Sequence, residues 1–196
     1  MSENVHSIEE IVEDHFKREL NEYGAKYYTK TESINSNIEI ALKEYPSKTG
    51  GVVGGGNIPD IKMMLRNNGR EIPVMIEAKG TAGALLKCTL GKVDLDQNAI
   101  SEYALNGAIH YANAIINNSA YDTVLAIGIN GKHGSFGEPI FETFSCIVSK
   151  KNNNEPIRLL KTNHLTYLHP EKQSELIKII DEIVEMFCVA QTTSTC

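Results

Sequence analysis

Asp60, Glu77 and Lys79 are the residues of this sequence whose types and spacing suggest chemistry. They sit at the ends of two strand-like runs, 58–66 and 71–79, separated by Asn67-Asn68-Gly69-Arg70; Asn-Gly between alternating apolar segments signals a tight β-hairpin. With Asn68-Gly69 as a two-residue turn, Leu65 opposes Ile72, Met63 opposes Val74 and Ile61 opposes Ile76. Together with Ala78 these make one wholly apolar face, the expected core side. On the face opposite the core, Arg66 opposes Glu71, Lys62 opposes Met75 and Asp60 opposes Glu77, with Lys79 two residues beyond. Opposed carboxylates with Cβ atoms about 5 Å apart repel unless something positive lies between them. A divalent cation is the natural candidate, and oxygen-only ligation suits Mg2+ or Mn2+, whereas zinc calls for His or Cys. Lys79, diagonal to Asp60, is placed to act on an attacking water or to stabilise charge growing on a phosphate. The plain alternative is a strand-end Asp60 beside a solvated Glu77–Lys79 pair.

The elements that must position these groups are read from periodicity. Ser7-Ile8-Glu9-Glu10 is a capping box, and Ile8, Ile11, Val12, Phe16, Leu20 and Tyr23 follow at helical spacing until Gly24. A second helix is expected over 33–45, stopping before Pro46. The stretch 50–57 is Gly-rich but lacks the Lys-Ser/Thr of a phosphate-binding loop, so it reads as a flexible loop entering the hairpin. A third helix is expected over 96–118, strands over 121–130 and 141–150 joined by a Gly-rich loop, and a C-terminal helix from about Pro170, with a frayed tail. This order suits an α/β chain with a mixed sheet flanked by helices, and 196 residues suit one domain, 1–196.

The sequence has no long apolar run and an acidic, polar start, so neither a membrane span nor a signal peptide is expected, and the chain is expected to be cytoplasmic. Its four cysteines are widely spaced with no Cys-x-x-Cys, which reads as reduced thiols. The net charge of −6 counts against nucleic-acid binding, but it is concentrated at the ends: residues 1–23 carry −5 and 169–196 carry −3, leaving +2 between them.

Pro59-Asp60, the hairpin, and Glu77-Ala78-Lys79 together resemble the defining motif of the PD-(D/E)XK, or restriction-endonuclease-like, nuclease superfamily. The Glu-Ala-Lys form and the long helix after it are similar to N-terminal nuclease domains of restriction–modification polypeptides, including type I restriction subunits and fused restriction–methyltransferase enzymes. The resemblance covers about residues 7–150 and is specific at the three motif positions. It implies a restriction-endonuclease-like sheet and Mg2+-dependent endonucleolytic hydrolysis of DNA. It also implies Asp60 and Glu77 as metal ligands, with the Ala78 carbonyl completing coordination, and Lys79 orienting the attacking water. Methyltransferase or helicase/translocase domains are the implied partners, and the C-terminal helix, about 170–189, is a candidate surface for docking on a following domain.

Many members of that superfamily add an acidic residue from the first helix, and here Glu19 falls inside the apolar stripe, whereas Glu9, Glu13 and Asp14 point elsewhere. A buried glutamate needs a partner, so Glu19 is either a further metal ligand or half of a structural pair. Some relatives carry Gln-x-x-x-Tyr after the lysine; Gln97 is followed by Ser101, so the motif is unmatched. Gln97 does share a helix face with Ile100, Ala104, Gly107, Tyr111 and Ile115, which should look toward the sheet, so it is either a cleft residue or an ordinary first-turn polar residue. Lys132 and His133, or Lys150 and Lys151, are candidates for phosphate contacts, although loops and strand ends carry such residues routinely. Two other classes compete: a non-catalytic DNA-binding or assembly module, and a two-carboxylate glycosidase, which fits facing carboxylates with an intervening lysine less well.

Overall fold

In the computed structural model of the protein, residues 7–50 and 56–193 are described, the side chains as far as residue 188. Most of the Gly-rich stretch, 51–55, and the end of the tail, 194–196, lie outside the described residues.

The chain enters helix α1 (Ile8–Glu22) through the expected capping box, the Glu10 amide donating to Ser7 Oγ at 3.2 Å and the Ser7 amide to Glu10 Oε2 at 2.9 Å. A short strand β1 (Tyr27–Thr29) follows that periodicity did not reveal; three half-buried residues carry no readable period. Helix α2 (Ser36–Glu44) starts later than expected because Asn35 is its cap, accepting the Ile38 amide at 3.0 Å. Then come β2 (Ile61–Asn67) and β3 (Arg70–Lys79), in the expected register from Ile61 opposite Ile76 to Asn67 opposite Arg70. Asn68 and Gly69 both take positive φ, 46° and 82°, as a type I′ turn requires.

A two-stranded ribbon, β4 (Cys88–Thr89) and β5 (Lys92–Val93), leads to a correction. The single helix expected over 96–118 is two, α3 (Gln97–Glu102) and α4 (Ala104–Asn118), with Tyr103 extended between them at φ −112°, ψ 131°. The break is explained by contacts from another segment: the first amides of α4, on Ala104 and Leu105, donate at 2.9 Å to the carbonyls of Ala84 and Leu85, which fixes the new helix against the preceding loop. Strands β6 (Thr123–His133) and β7 (Pro139–Ser149) run further into their hairpin than expected, β8 (Ile157–Thr162) is an additional strand, and α5 (Gln173–Thr193) follows a 3-10 turn at Pro170–Lys172.

The six strands are ordered β1-β2-β3-β6-β7-β8, with β3 and β6 parallel and every other pair antiparallel. The protein is thus a mixed α/β structure, and α3 and α4 supply the crossover that a parallel pair needs. The apolar hairpin face packs with Val12, Phe16 and Leu20 of α1 and with Ile177, Ile180 and Val184 of α5. Part of the terminal helix is therefore committed to this chain's own core, while Ile179, Met186 and Phe187 stay exposed.

The opposite hairpin face, expected to lie away from the core, is buried as well. Met64 and Met75 join Ile38 and Leu42 of α2 and Leu105, Ile109 and Ile115 of α4 in a second cluster. Lys62 on this face is tolerated because its ammonium meets Glu39 Oε1 at 3.0 Å under α2. The close approach of α4 depends on Gly128 of β6, where a Cβ would lie 2.4 Å from the Leu105 amide nitrogen. Among the described residues no helix is long and apolar enough to cross a membrane.

Candidate functional site

The ends of β2 and β3 bring Asp60, Glu77 and Lys79 together beneath α4. Asp60 is 4% exposed and Glu77 2%, so both carboxylates are out of bulk water and need partners. Asp60 immediately precedes β2. Its Oδ2 accepts the Ala78 amide at 2.6 Å, and its Oδ1 lies 2.8 Å from Lys30 Nζ. Glu77 uses both oxygens: Oε1 receives the ammoniums of Lys79, at 3.1 Å, and of Lys48, and Oε2 receives the Tyr111 hydroxyl at 3.1 Å.

Burial is the main cause that pushes the Asp60 carboxyl up to about 6; the Glu77 charge adds to it, and the bonds from Lys30 and Ala78 oppose it. Burial also raises the Tyr111 hydroxyl, reinforced by the charges of Glu77 and Asp60, so Tyr111 stays a neutral donor. For Lys79 burial acts downward, but Glu77 and Glu9 outweigh it and hold the ammonium protonated. The Glu77 charge thus adds to the upward push on Asp60, while Lys30, Lys48 and Lys79 supply the positive charge around the two acids.

From the first helix Glu13 reaches this site through Lys30 and Glu9 acts on Lys79, whereas Glu19 does not reach it. Glu13 bridges Lys30 at 2.8 Å and Lys17 at 3.0 Å, and Lys30 in turn holds Asp60. Burial raises the Glu13 carboxyl, but those two lysines more than reverse this and leave it below its ordinary value. Glu19 is turned to the core instead, its Oε1 accepting the Leu165 amide at 2.7 Å and the Tyr23 hydroxyl at 2.5 Å. The helical stripe placed Glu19 inside, where it is, but left Glu13 outside because it cannot register Lys30, which comes from the turn after β1 and covers the helix flank.

Gln97 does belong to the neighbourhood, at one remove. Its side-chain amide donates to the Lys48 carbonyl, which also accepts Ser101 Oγ at 2.8 Å, and Lys48 then reaches Glu77. Tyr111 does reach Glu77 from the sheet-facing side of α4, but its spacing from Gln97 does not account for this, because the chain leaves the helix at Tyr103 between them. Lys132 and His133 are exposed at the end of β6; the β3–β6 register sets Asn130 beside Lys79, so they project two and three residues beyond it. Lys150 and Lys151 follow β7 at the opposite end of the sheet, where Lys150 meets the Ser119 carbonyl at 3.1 Å and Lys151 pairs with Glu185; they do not converge with the carboxylates.

No family model, curated protein or solved structure matches this chain. The chemistry is therefore read from the site itself. Among the described residues no group of three or more His, Cys, Asp or Glu side chains is gathered to hold a metal ion. The fit to a divalent cation rests on a smaller donor set. Two buried carboxylates offer hard oxygens, and Glu77 Oε2 receives only the Tyr111 hydroxyl among the described residues, which leaves it an acceptor direction. Two hollows of about 520 and about 440 Å3 flank the strand end and share Thr81: Glu13, Lys30 and Gly80 line the first, Lys79, Ser101 and Tyr103 the second. The larger hollow of about 830 Å3, between the β2–β3 turn and α5, contains none of these groups.

Glu13, Lys30 and Lys48 were not singled out from sequence. Each is an ordinary charged residue in its own segment, and only long-range contacts give it a role.

Proposed function

We propose that this chain is a metal-dependent endonuclease of the PD-(D/E)XK type, hydrolysing DNA phosphodiester bonds as the cleavage module of a restriction–modification system. The observation that carries the reading is the convergence of Asp60, Glu77 and Lys79 at one buried strand end, with Lys79 3.1 Å from Glu77 and Asp60 bonded to the intervening Ala78 amide. Asp60 and Glu77 would hold Mg2+ or Mn2+, with the Ala78 carbonyl as a further oxygen donor. When bound, the cation supplies Lewis-acid stabilisation of charge developing on the phosphate. Lys79, kept protonated by Glu77 and Glu9, orients the attacking water and stabilises negative charge on the phosphoryl oxygens. Tyr111 fixes one oxygen of Glu77, and α4 screens that carboxylate from solvent. The hollows on either side of Lys79 supply room for a backbone phosphate. DNA is the proposed substrate, with methyltransferase or helicase/translocase domains or subunits as partners.

A second reading, a non-catalytic DNA-binding or assembly module, is favoured by one observation. Lys30, Lys48 and Lys79 already contact the two carboxylates and can take the place of a metal ion. Calorimetric titration of the folded protein with Mn2+, together with supercoiled DNA incubated in Mg2+ or in EDTA, separates the two. Saturable metal binding and Mg2+-dependent nicking are expected; no measurable divalent-metal binding by the folded protein overturns the nuclease reading in favour of the second.

A further inference from the structure

Lys48 is a built part of the site. Its amide donates to Asn57 Oδ1 at 2.9 Å, and Asn57 Nδ2 donates back to the carbonyls of Leu42, Tyr45 and Pro46 at 3.0, 3.1 and 2.9 Å. Its carbonyl is held by Gln97 and Ser101 of α3. Both main-chain polar groups are thus tied down, and the side chain, only 11% exposed, is delivered to Glu77. The ammonium also accompanies Tyr111, 3.0 Å from its hydroxyl and 5.2 Å from its ring centroid.

The consequence lies in the lone pairs of Glu77. A carboxylate oxygen offers about two acceptor directions. On Oε1 both are used, one by Lys79 and one by Lys48, and on Oε2 one is used by Tyr111. A divalent cation held by Glu77 and Asp60 would meet an ammonium already on Glu77, and two cations at one carboxylate repel strongly in a buried site. Lys79 is fixed on β3 and drawn also by Glu9 and Asp60. Lys48 comes from a loop and keeps a neutral partner in the Tyr111 hydroxyl, so it is the easier one to displace.

We propose that Lys48 is a resident ammonium at the metal position: it balances Glu77 in the metal-free protein and must be displaced when a divalent cation binds, with Gln97 as the positioning residue that holds it there. The inference rests on the metal-binding reading of Asp60 and Glu77. It explains why a chain with these acids can be charge-balanced without metal, and it makes divalent-metal affinity a property set by Lys48.

The test is Mn2+ titration by calorimetry of the parent chain, Lys48→Met, Lys48→Arg and Lys79→Met, with thermal denaturation to confirm folding. Lys48→Met keeps the stem and removes the charge, so it should bind Mn2+ at least about tenfold more tightly than the parent, as expected when a buried competing charge is lost. Lys48→Arg should stay near the parent, and Lys79→Met should gain clearly less than Lys48→Met. Metal binding by Lys48→Met alone, with none by the parent, supports Lys48 as the resident ammonium and at the same time overturns the nuclease reading of the parent chain. Equal or weaker binding by folded Lys48→Met, or an equal gain from Lys79→Met, overturns it while leaving the parent's metal binding, and so the nuclease reading, standing. If neither parent nor Lys48→Met binds Mn2+, both readings fall. Should Lys48→Met not fold, Gln97→Leu gives the same readout: tightening of a few-fold is expected and an unchanged affinity overturns the proposal.

Discussion

Asp60 accepts the main-chain amide of Ala78 at 2.6 Å, so the carboxylate that precedes one strand is pinned to the residue between the two functional side chains of the next. The bond ties the side chain to backbone held in the sheet, where Ala78 also pairs with Ile129 of β6. It fixes Asp60 close to Glu77 although the two charges repel, and that repulsion has measurable consequences.

The first concerns pH. Asp60 is raised from 3.8 to about 6, so in the metal-free protein its protonated form is favoured by folding. A raised carboxyl contributes stability that is fully present below its unfolded value and is lost as pH rises through the folded one. Between pH 4 and pH 7 the loss should be on the order of 2 kcal/mol. Asp60→Asn, which can still accept the Ala78 amide, should therefore exceed the parent in Tm at pH 7 in EDTA, and the gap should close near pH 4. A parent that matches or exceeds the variant at pH 7 would refute the assignment.

Lys79 and Asp60 should separate metal binding from chemistry. Lys79→Ala removes no ligand oxygen and should leave Mn2+ affinity intact or slightly higher, whereas Asp60→Ala should abolish it. DNA cleavage should fall by about 100-fold or more in both, the scale expected when developing charge loses a dedicated partner. If Lys79→Ala cuts as fast as the parent, Glu77-Ala78-Lys79 is a charge pair and not a catalytic motif.

Substituting Glu13 and Glu19 of α1 should give opposite phenotypes. Glu19→Ala strands the Leu165 amide and frees Tyr23, for a loss of about 2 kcal/mol in urea denaturation with Mn2+ affinity unchanged. Glu13→Gln releases Lys30 toward Asp60 and should shift Mn2+ affinity with a smaller change in stability. A Glu19→Ala protein of parental stability and weakened Mn2+ binding would reverse the structural assignment.

Two glycines should differ by mechanism. At Gly69 an added Cβ would have no neighbour within 4 Å, but φ is +82°, so Gly69→Ala should cost about 1 kcal/mol, from backbone conformation alone. At Gly128 a Cβ would meet the Leu105 backbone nitrogen and Cα at 2.4 and 2.7 Å, so α4 must retreat. Gly128→Ala should cost clearly more than Gly69→Ala in chemical denaturation, at least about 2 kcal/mol, and should loosen the Tyr111–Glu77 contact. Equal costs would show that α4 yields freely.

The sequence alone determined the parts of this protein governed by local rules. The α1 capping box, the Asn68-Gly69 turn and the hairpin register all depend on residues a few positions apart, and one-residue slips are penalised because they move every side chain to the other face. That register was enough to bring Asp60, Glu77 and Lys79 to one place. What only the tertiary structure decided depends on contacts between distant segments. Helices cover both sheet faces, so a hairpin face with Lys62, Arg66 and Glu71 on it is buried over most of its length. The break at Tyr103 arises from carbonyls of Ala84 and Leu85, which no helical period contains. The surroundings of the carboxylates come from α1, from the turn after β1, from the segment after α2 and from α4. Glu13, Lys30, Lys48 and Tyr111 are separated along the chain and acquire their roles because burial leaves two negative charges that only neighbouring donors can satisfy.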